Sequence, residues 1–298
     1  VKKACFMQSS ISPALSHKLA NMGFVCACLV VFIHLRLPPP EALSSPIQYF
    51  LGNGICRIAV PFFFTASGYF LAGHTNEQGW WPREFGKRIH TLLIPYLCWS
   101  LIAAGDVIFR YLLKTQLLGI AWEHESPFSA SQLLRIFGLY PLDHPLLVPL
   151  WYVRCLLLFL CITPLLNWIL SRTRTLGLIC LATFFCLGVT IGALHAAPDS
   201  MLPFWQKCFA LGGLFYFSLG LFLRHWPIRL ALPKVVAWAL LFVAFSCYTL
   251  SMWGTWANAW WTPYPRFIAI PIALLAVWRL IPSCPWPRWL TGLSFPLF

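Results

Sequence analysis

Apolar runs of membrane-spanning length recur from one end of this chain to the other, and that recurrence limits the fold before any single residue is considered. A helix needs roughly 20 mainly apolar residues, at about 1.5 Å of rise each, to cross a bilayer core. Candidate spans are Leu19–Leu35, Gly54–Gly73, Ile89–Leu113, Val148–Leu170, Leu176–His195, Cys208–Leu223, Val235–Trp253 and Phe267–Ile281, and another begins near Trp289. Inside lipid every backbone polar group must be satisfied within its own segment, so apolar runs of this length are helices. The pattern predicts an all-α, polytopic transmembrane bundle with about eight or nine spans visible and about ten in the full-length protein. The chain stops at Phe298 inside an apolar run, which predicts a truncated C-terminus. Residues 1–298 read as a single membrane domain, with 114–147 as an extracytoplasmic loop within it.

Composition closes the other routes. Of the residues, 59% are hydrophobic and 10% charged, where a soluble domain is about 25% charged. Soluble globular, fibrous and disordered classes are excluded. Lys and Arg number 21 against 8 acidic residues, a net charge of +13. These cations stand singly or in pairs between apolar runs, with no stripe that could track a phosphate backbone, so nucleic acid is not the expected partner. The 12 cysteines include no Cys-x-x-Cys pair and lie mostly in apolar runs. They read as small core residues, with no metal site and no disulfide framework expected. Val1–Ser16 has no apolar stretch or cleavage site of a removable signal peptide. With the N-terminus in the cytoplasm, 13 basic residues fall inside and 8 outside, the asymmetry of a multi-pass protein oriented N-in. Trp253, Trp256, Trp260 and Trp261 then form an outer interfacial belt.

Ionisable side chains inside spans are costly and mark function or a buried pair. His34 lies about 16 residues past Lys18, roughly 24 Å along a helix, near the outer end of the first span. Asp106 lies about 18 residues past Arg88, roughly 27 Å, at a similar depth. Arg57 and Arg154 begin the second and fourth spans, and Arg154 follows Trp151 by one helical turn. The plain alternative is a set of ordinary interfacial residues, with Asp106 and Arg110 paired at i,i+4 and Arg154 snorkelling outward. At the inner face, Arg83, Lys87 and Arg88 cluster between the second and third spans. Just before them, Ser67 and Gly68 interrupt an aromatic run. Gly68 permits close approach of a ligand or a neighbouring helix, and Ser67 offers a hydroxyl. One reading is positive-inside topology plus a small-residue helix contact; the other is a phosphate cradle leading to a gap between helices.

At these residues the chain resembles the acyltransferase-3 family, integral membrane enzymes that O-acylate extracytoplasmic glycans. Cys28–His34 (CLVVFIH) is similar to the end of that family's first span, which closes on its characteristic His. Val60–Leu71 (VPFFFTASGYFL) resembles its aromatic Ser-Gly segment. Phe85–Trp99 (FGKRIHTLLIPYLCW) resembles its Lys-Arg segment entering a Pro-Tyr helix. Pro149–Pro164 (PLWYVRCLLLFLCITP) resembles its Leu-Trp-Phe/Tyr segment, and Ser294–Phe298 the start of a late span. Many members carry a basic residue eleven positions before the His; here that position is Gly23, and Lys18 or the Lys87–Arg88 pair must replace it.

The resemblance implies acyl transfer, with acetyl as the default group, from cytoplasmic acyl-CoA to a carbohydrate hydroxyl across the bilayer. His34 is then the general base, since an imidazole with an ordinary pKa near 6.5 can take the hydroxyl proton. Arg57, Arg154 or the Trp151 indole would serve the oxyanion or the acceptor. Asp106, placed by depth alone, would orient His34. Ser67, Gly68, Arg83, Lys87, Arg88 and Lys18 would bind the donor, acetyl-CoA being the co-substrate, with no metal. Two rivals stand beside this reading. One is a transporter or flippase of a lipid-linked sugar, which would more often show paired repeats. The other is an inactive or sensory relative, suggested by Gly23.

Overall fold

The computed structural model describes residues 11–34, 54–75, 78–122, 126–136, 147–194, 213–228, 231–250 and 263–292. Among them the chain is helical and contains no strand. The elements are α1 (Pro13–His34), a 3-10 turn (Ile55–Ile58) leading into α2 (Ala59–Ala72), α3 (Trp80–Arg88), α4 (Ile94–Leu112), α5 (Ala130–Ile136) and, after a short 3-10 turn, α6 (Trp151–Arg172). There follow α7 (Arg174–Leu194), α8 (Gly213–His225), α9 (Lys234–Leu250), α10 (Pro263–Leu280) and the short α11 (Arg288–Thr291). Pro13–Phe32, Ile55–Ala72, Trp80–Leu117 and Trp151–Arg172 are each long and apolar enough to cross a membrane, and Arg174–Thr190, Lys234–Tyr248 and Phe267–Leu280 are shorter apolar helices. The molecule is an all-α membrane bundle.

The basic segment is helical and extends the third span toward its N-terminus: α3 continues through a π turn at Ile89–Leu93 into α4. Pro95 has no N–H for the carbonyl four residues back, and such a gap in the ladder is where a π turn is accommodated. One turn earlier, the Thr91 hydroxyl shares its proton between the Lys87 and Arg88 carbonyls at 3.2 and 3.3 Å. The chain reaches α3 through Gly79, whose φ of +68° is open to glycine at little cost. A second π turn, Leu113–Leu117, carries the helix into the stretch read as loop, which also holds α5. The tryptophans of the expected outer belt and the apolar end at Ser294–Phe298 lie outside the described residues.

α2 is the pillar of the bundle, touching α1, α6, α8 and α10. Its aromatic run supplies buried Phe62 and Phe64, and Phe64 meets Phe159 of α6, which meets Phe217 of α8. α2 and α8 cross with almost no side chain between them. A Cβ on Gly68 would strike the Phe217 carbonyl, and one on Gly220 would strike the Thr65 carbonyl. Small residues that let backbones meet are the usual glue of membrane helices. Arg224 extends this seam by donating to the Tyr69 hydroxyl at 3.3 Å.

α6 contains Pro164, which cannot donate to the Leu160 carbonyl. The indole N–H of Trp81 in α3 donates to that carbonyl at 3.3 Å, so the basic helix is docked on the proline break. Trp81→Phe keeps the ring and removes the donor, and is expected to destabilise the protein by about 1–2 kcal/mol, read as a lowered Tm in detergent. An unchanged Tm would show that another group or water satisfies Leu160. At the far side of α2, buried Asn21 of α1 donates to the carbonyls of Pro282 and Cys284 at 3.1 and 2.8 Å, tying α1 to the end of α10. Among the described residues nine cysteines are free, including the buried Cys26 and Cys56. Cys155 departs from the expected pattern, since it is disulfide-bonded.

Candidate functional site

The sequence-predicted residues fall into groups that the fold separates. Ser67 of α2 and Arg88 at the end of α3 line the same cleft, with Leu71, Leu92, Leu156, Leu160 and Phe217 as apolar walls. The cleft measures about 280 Å³ counting its open mouth, and its enclosed part has room for about one water molecule. Two polar atoms at this place are buried and lack a hydrogen-bond partner: Ser67 Oγ and Arg88 Nε. The Tyr152 hydroxyl is also buried and unpartnered, and lies within reach of Ser67. Orphan donors around a small space suit a ligand carbonyl or an ordered water, since burying them unpaired is costly.

Gly68 does not share this role. Its open side is filled by the backbone of α8, so of the two readings for Ser67-Gly68 the helix contact holds for the glycine. Only Ser67 faces the cleft.

Arg83, Lys87 and Arg88 converge on a residue that was not singled out in the sequence. The Glu84 carboxylate is buried, accepts from Lys87 Nζ at 3.1 Å, and lies 3.8 Å from Arg88 Nε and 4.0 Å from Arg83 Nε. The signal was present, because an acid three and four residues before two cations is the favoured pairing on a helix.

On α4, the two Asp106 oxygens are taken by Arg110, at 3.1 Å to Nε and 2.9 Å to a terminal nitrogen, and both side chains are exposed. The plain i,i+4 pair is what forms there, and nothing in this geometry directs Asp106 toward an imidazole. Arg154 instead has a different neighbour: the buried Tyr96 hydroxyl of α4 lies within its electrostatic reach. Trp151 is half-buried, packed on Phe64 with ring centres 6.3 Å apart. Arg57 is exposed in the 3-10 turn that abuts α1 and α10. Lys18 lies over the Trp278 ring of α10 at 4.8 Å, so it belongs to the α1–α10 seam. His34 is the last residue of α1, and its side chain lies outside the described residues.

The acyltransferase-3 model, described as an acyltransferase domain, matches residues 21–297. The chain belongs to the acyltransferase-3 family. The succinoglycan biosynthesis protein ExoH of Rhizobium meliloti (strain 1021) is 24% identical over 172 residues, 55% of this chain and 45% of that protein. The chain therefore spans about half the length of this relative. No solved structure matches the chain. Among the described residues no group of His, Cys, Asp and Glu is arranged to hold a metal ion. The Ser67–Arg88 cleft lies beside the basic helix, lined from α2, α3, α6 and α8.

Proposed function

We propose that this protein is a multi-pass membrane acyltransferase that moves an acyl group, acetyl by default, from cytoplasmic acyl-CoA to a hydroxyl of an extracytoplasmic polysaccharide. The family and the succinoglycan relative support the reaction class and a glycan acceptor. The observation that carries the donor side is the cleft, in which a hydroxyl and a guanidinium from two helices meet between apolar walls, next to Lys87 and Arg83.

The chemistry follows from what each group can do. The polyphosphate head of the donor cannot enter lipid cheaply, so it stays on the cytoplasmic face against Arg83 and Lys87. The uncharged pantetheine arm reaches inward past Arg88 and Ser67. Since the enclosed space holds little more than a water, the arm needs the leucine walls to part. At the other leaflet the acceptor oxygen attacks the thioester carbonyl, the C–S bond breaks, and CoA leaves as its thiol. His34 takes the hydroxyl proton and passes it to the departing sulfur. Arg154 and Arg57 would serve the oxyanion or an anionic glycan. Lys18 serves as a secondary donor contact at the inner end of α1. The N-terminus lies in the cytoplasm in this scheme.

Labelled acetyl-CoA supplied to vesicles containing the purified protein and envelope polysaccharide tests the reading. Label is expected to appear on the polysaccharide as an alkali-labile ester. Unmodified polysaccharide moved across the vesicle membrane, with the label still on CoA, would establish a transporter instead.

A further inference from the structure

The three cations of the basic helix are not equivalent, and the carboxylate between them is the reason. Arg83 and Lys87 keep 47% and 64% of their side-chain surface exposed, while Arg88 keeps 16%. Glu84 keeps 4%. Arg88 is the member that turns inward to line the cleft with Ser67. Its Nε has no hydrogen-bond partner, and its ion pair to Glu84 Oε2 at 3.8 Å is what anchors it from its own helix. Glu84 sits one turn earlier, held in turn by Lys87 at 3.1 Å.

We infer that Glu84 is a positioning residue for donor binding: it fixes the Arg88 guanidinium at the cleft while Lys87 and Arg83 stay outward for the polyanion. This rests on the donor reading proposed above. The charge argument gives the inference a distinctive sign. A carboxylate among three cations weakens the local positive field, so by field alone Glu84 opposes an anionic donor. A favourable contribution from Glu84 therefore has to be geometric. Arginine suits the post because its planar fork, once aimed, loses little freedom on meeting an oxygen. A buried carboxylate is also expensive unless paired, so it stays locked to its cations rather than swinging toward solvent.

The test is acetyl-CoA binding by titration calorimetry in detergent, with the full chain, for the wild type, Glu84→Gln and Glu84→Asp, accompanied by turnover. Glu84→Gln is expected to raise the donor Kd about 10-fold and to leave kcat within about 2-fold, with Glu84→Asp falling between. In an Arg88→Ala background the sign should reverse, Glu84→Gln then tightening binding because only the field remains. Unchanged or tighter binding by Glu84→Gln in the Arg88 protein overturns the inference. If Glu84→Gln fails to fold, Glu84→Asp decides: wild-type affinity with a normal melting curve overturns it, and weakened affinity at normal Tm upholds it. A wild-type chain that binds no acetyl-CoA removes the donor reading itself, and this inference with it.

Discussion

His34→Ala is expected to cut acyl transfer by about 10²–10⁴-fold, to the level of the uncatalysed background. The reaction needs a base for a sugar hydroxyl, which loses its proton unwillingly near neutral pH, and imidazole is the side chain most often used for that task. The carboxylate that the sequence places near that depth, Asp106, is exposed and bound by Arg110 through both oxygens, so it is no ready substitute. The substitution should leave the bundle intact. α1 is secured elsewhere along its length, by Asn21 on the Pro282 and Cys284 carbonyls and by Lys18 on Trp278. The measurement is release of free CoA thiol by vesicles containing wild-type or substituted protein, with elution profile and Tm as controls. Turnover within about 10-fold of wild type would assign the proton to another group and leave His34 an interfacial residue.

How much of this was legible in the sequence depends on what each feature needs in order to be expressed. Span existence needs only apolar length, so α1, α2, α6 and the later helices overlap the predicted runs, with ends that differ by up to about six residues. The third span starts earlier than its apolar run, because the backbone hydrogen-bond ladder continues through the basic segment and the π turn absorbs the gap left by Pro95. Depth along a helix was a poor guide to partnership. Asp106 was chosen for its level alone, and the local i,i+4 competitor Arg110 takes both its oxygens without any help from the tertiary fold. Ser67 and Gly68 are adjacent, yet successive helical residues face about 100° apart, so one lines the cleft and the other is spent on the α8 crossing. Only the packed structure could make that division, because it depends on Gly220 from a segment more than a hundred residues away. Glu84 is the opposite case: its i,i+3 and i,i+4 spacing to Lys87 and Arg88 stands in the sequence, but what the pairing positions is visible only when α3 is seen against α6.

Arg88→Ala is expected to raise the donor Kd by about 10–100-fold, while Lys87→Ala raises it only about 2–5-fold. Counted as charge, the two residues are identical, and a cradle built on net charge predicts equal losses. Geometry separates them. Lys87 is mostly exposed, its charge is screened by salt, and its ammonium is shared with Glu84. Arg88 is largely withdrawn from water, its Nε–H is held only by the 3.8 Å ion pair to Glu84, and Ser67 Oγ stands across the same cleft with the Tyr152 hydroxyl within reach. A charge-assisted hydrogen bond formed there replaces no strong bond to water, which is why it contributes more. Arg88→Lys should recover little, because an ammonium cannot present the guanidinium's fixed fork. Salt sharpens the contrast: raising ionic strength should erase most of the Lys87→Ala effect and leave most of the Arg88→Ala effect. Both follow from titrating acetyl-CoA into the detergent-solubilised variants at low and high salt. Equal losses for the two alanine variants, fading together with salt, would mean that the donor meets only a positive surface and that the cleft plays no part in holding it.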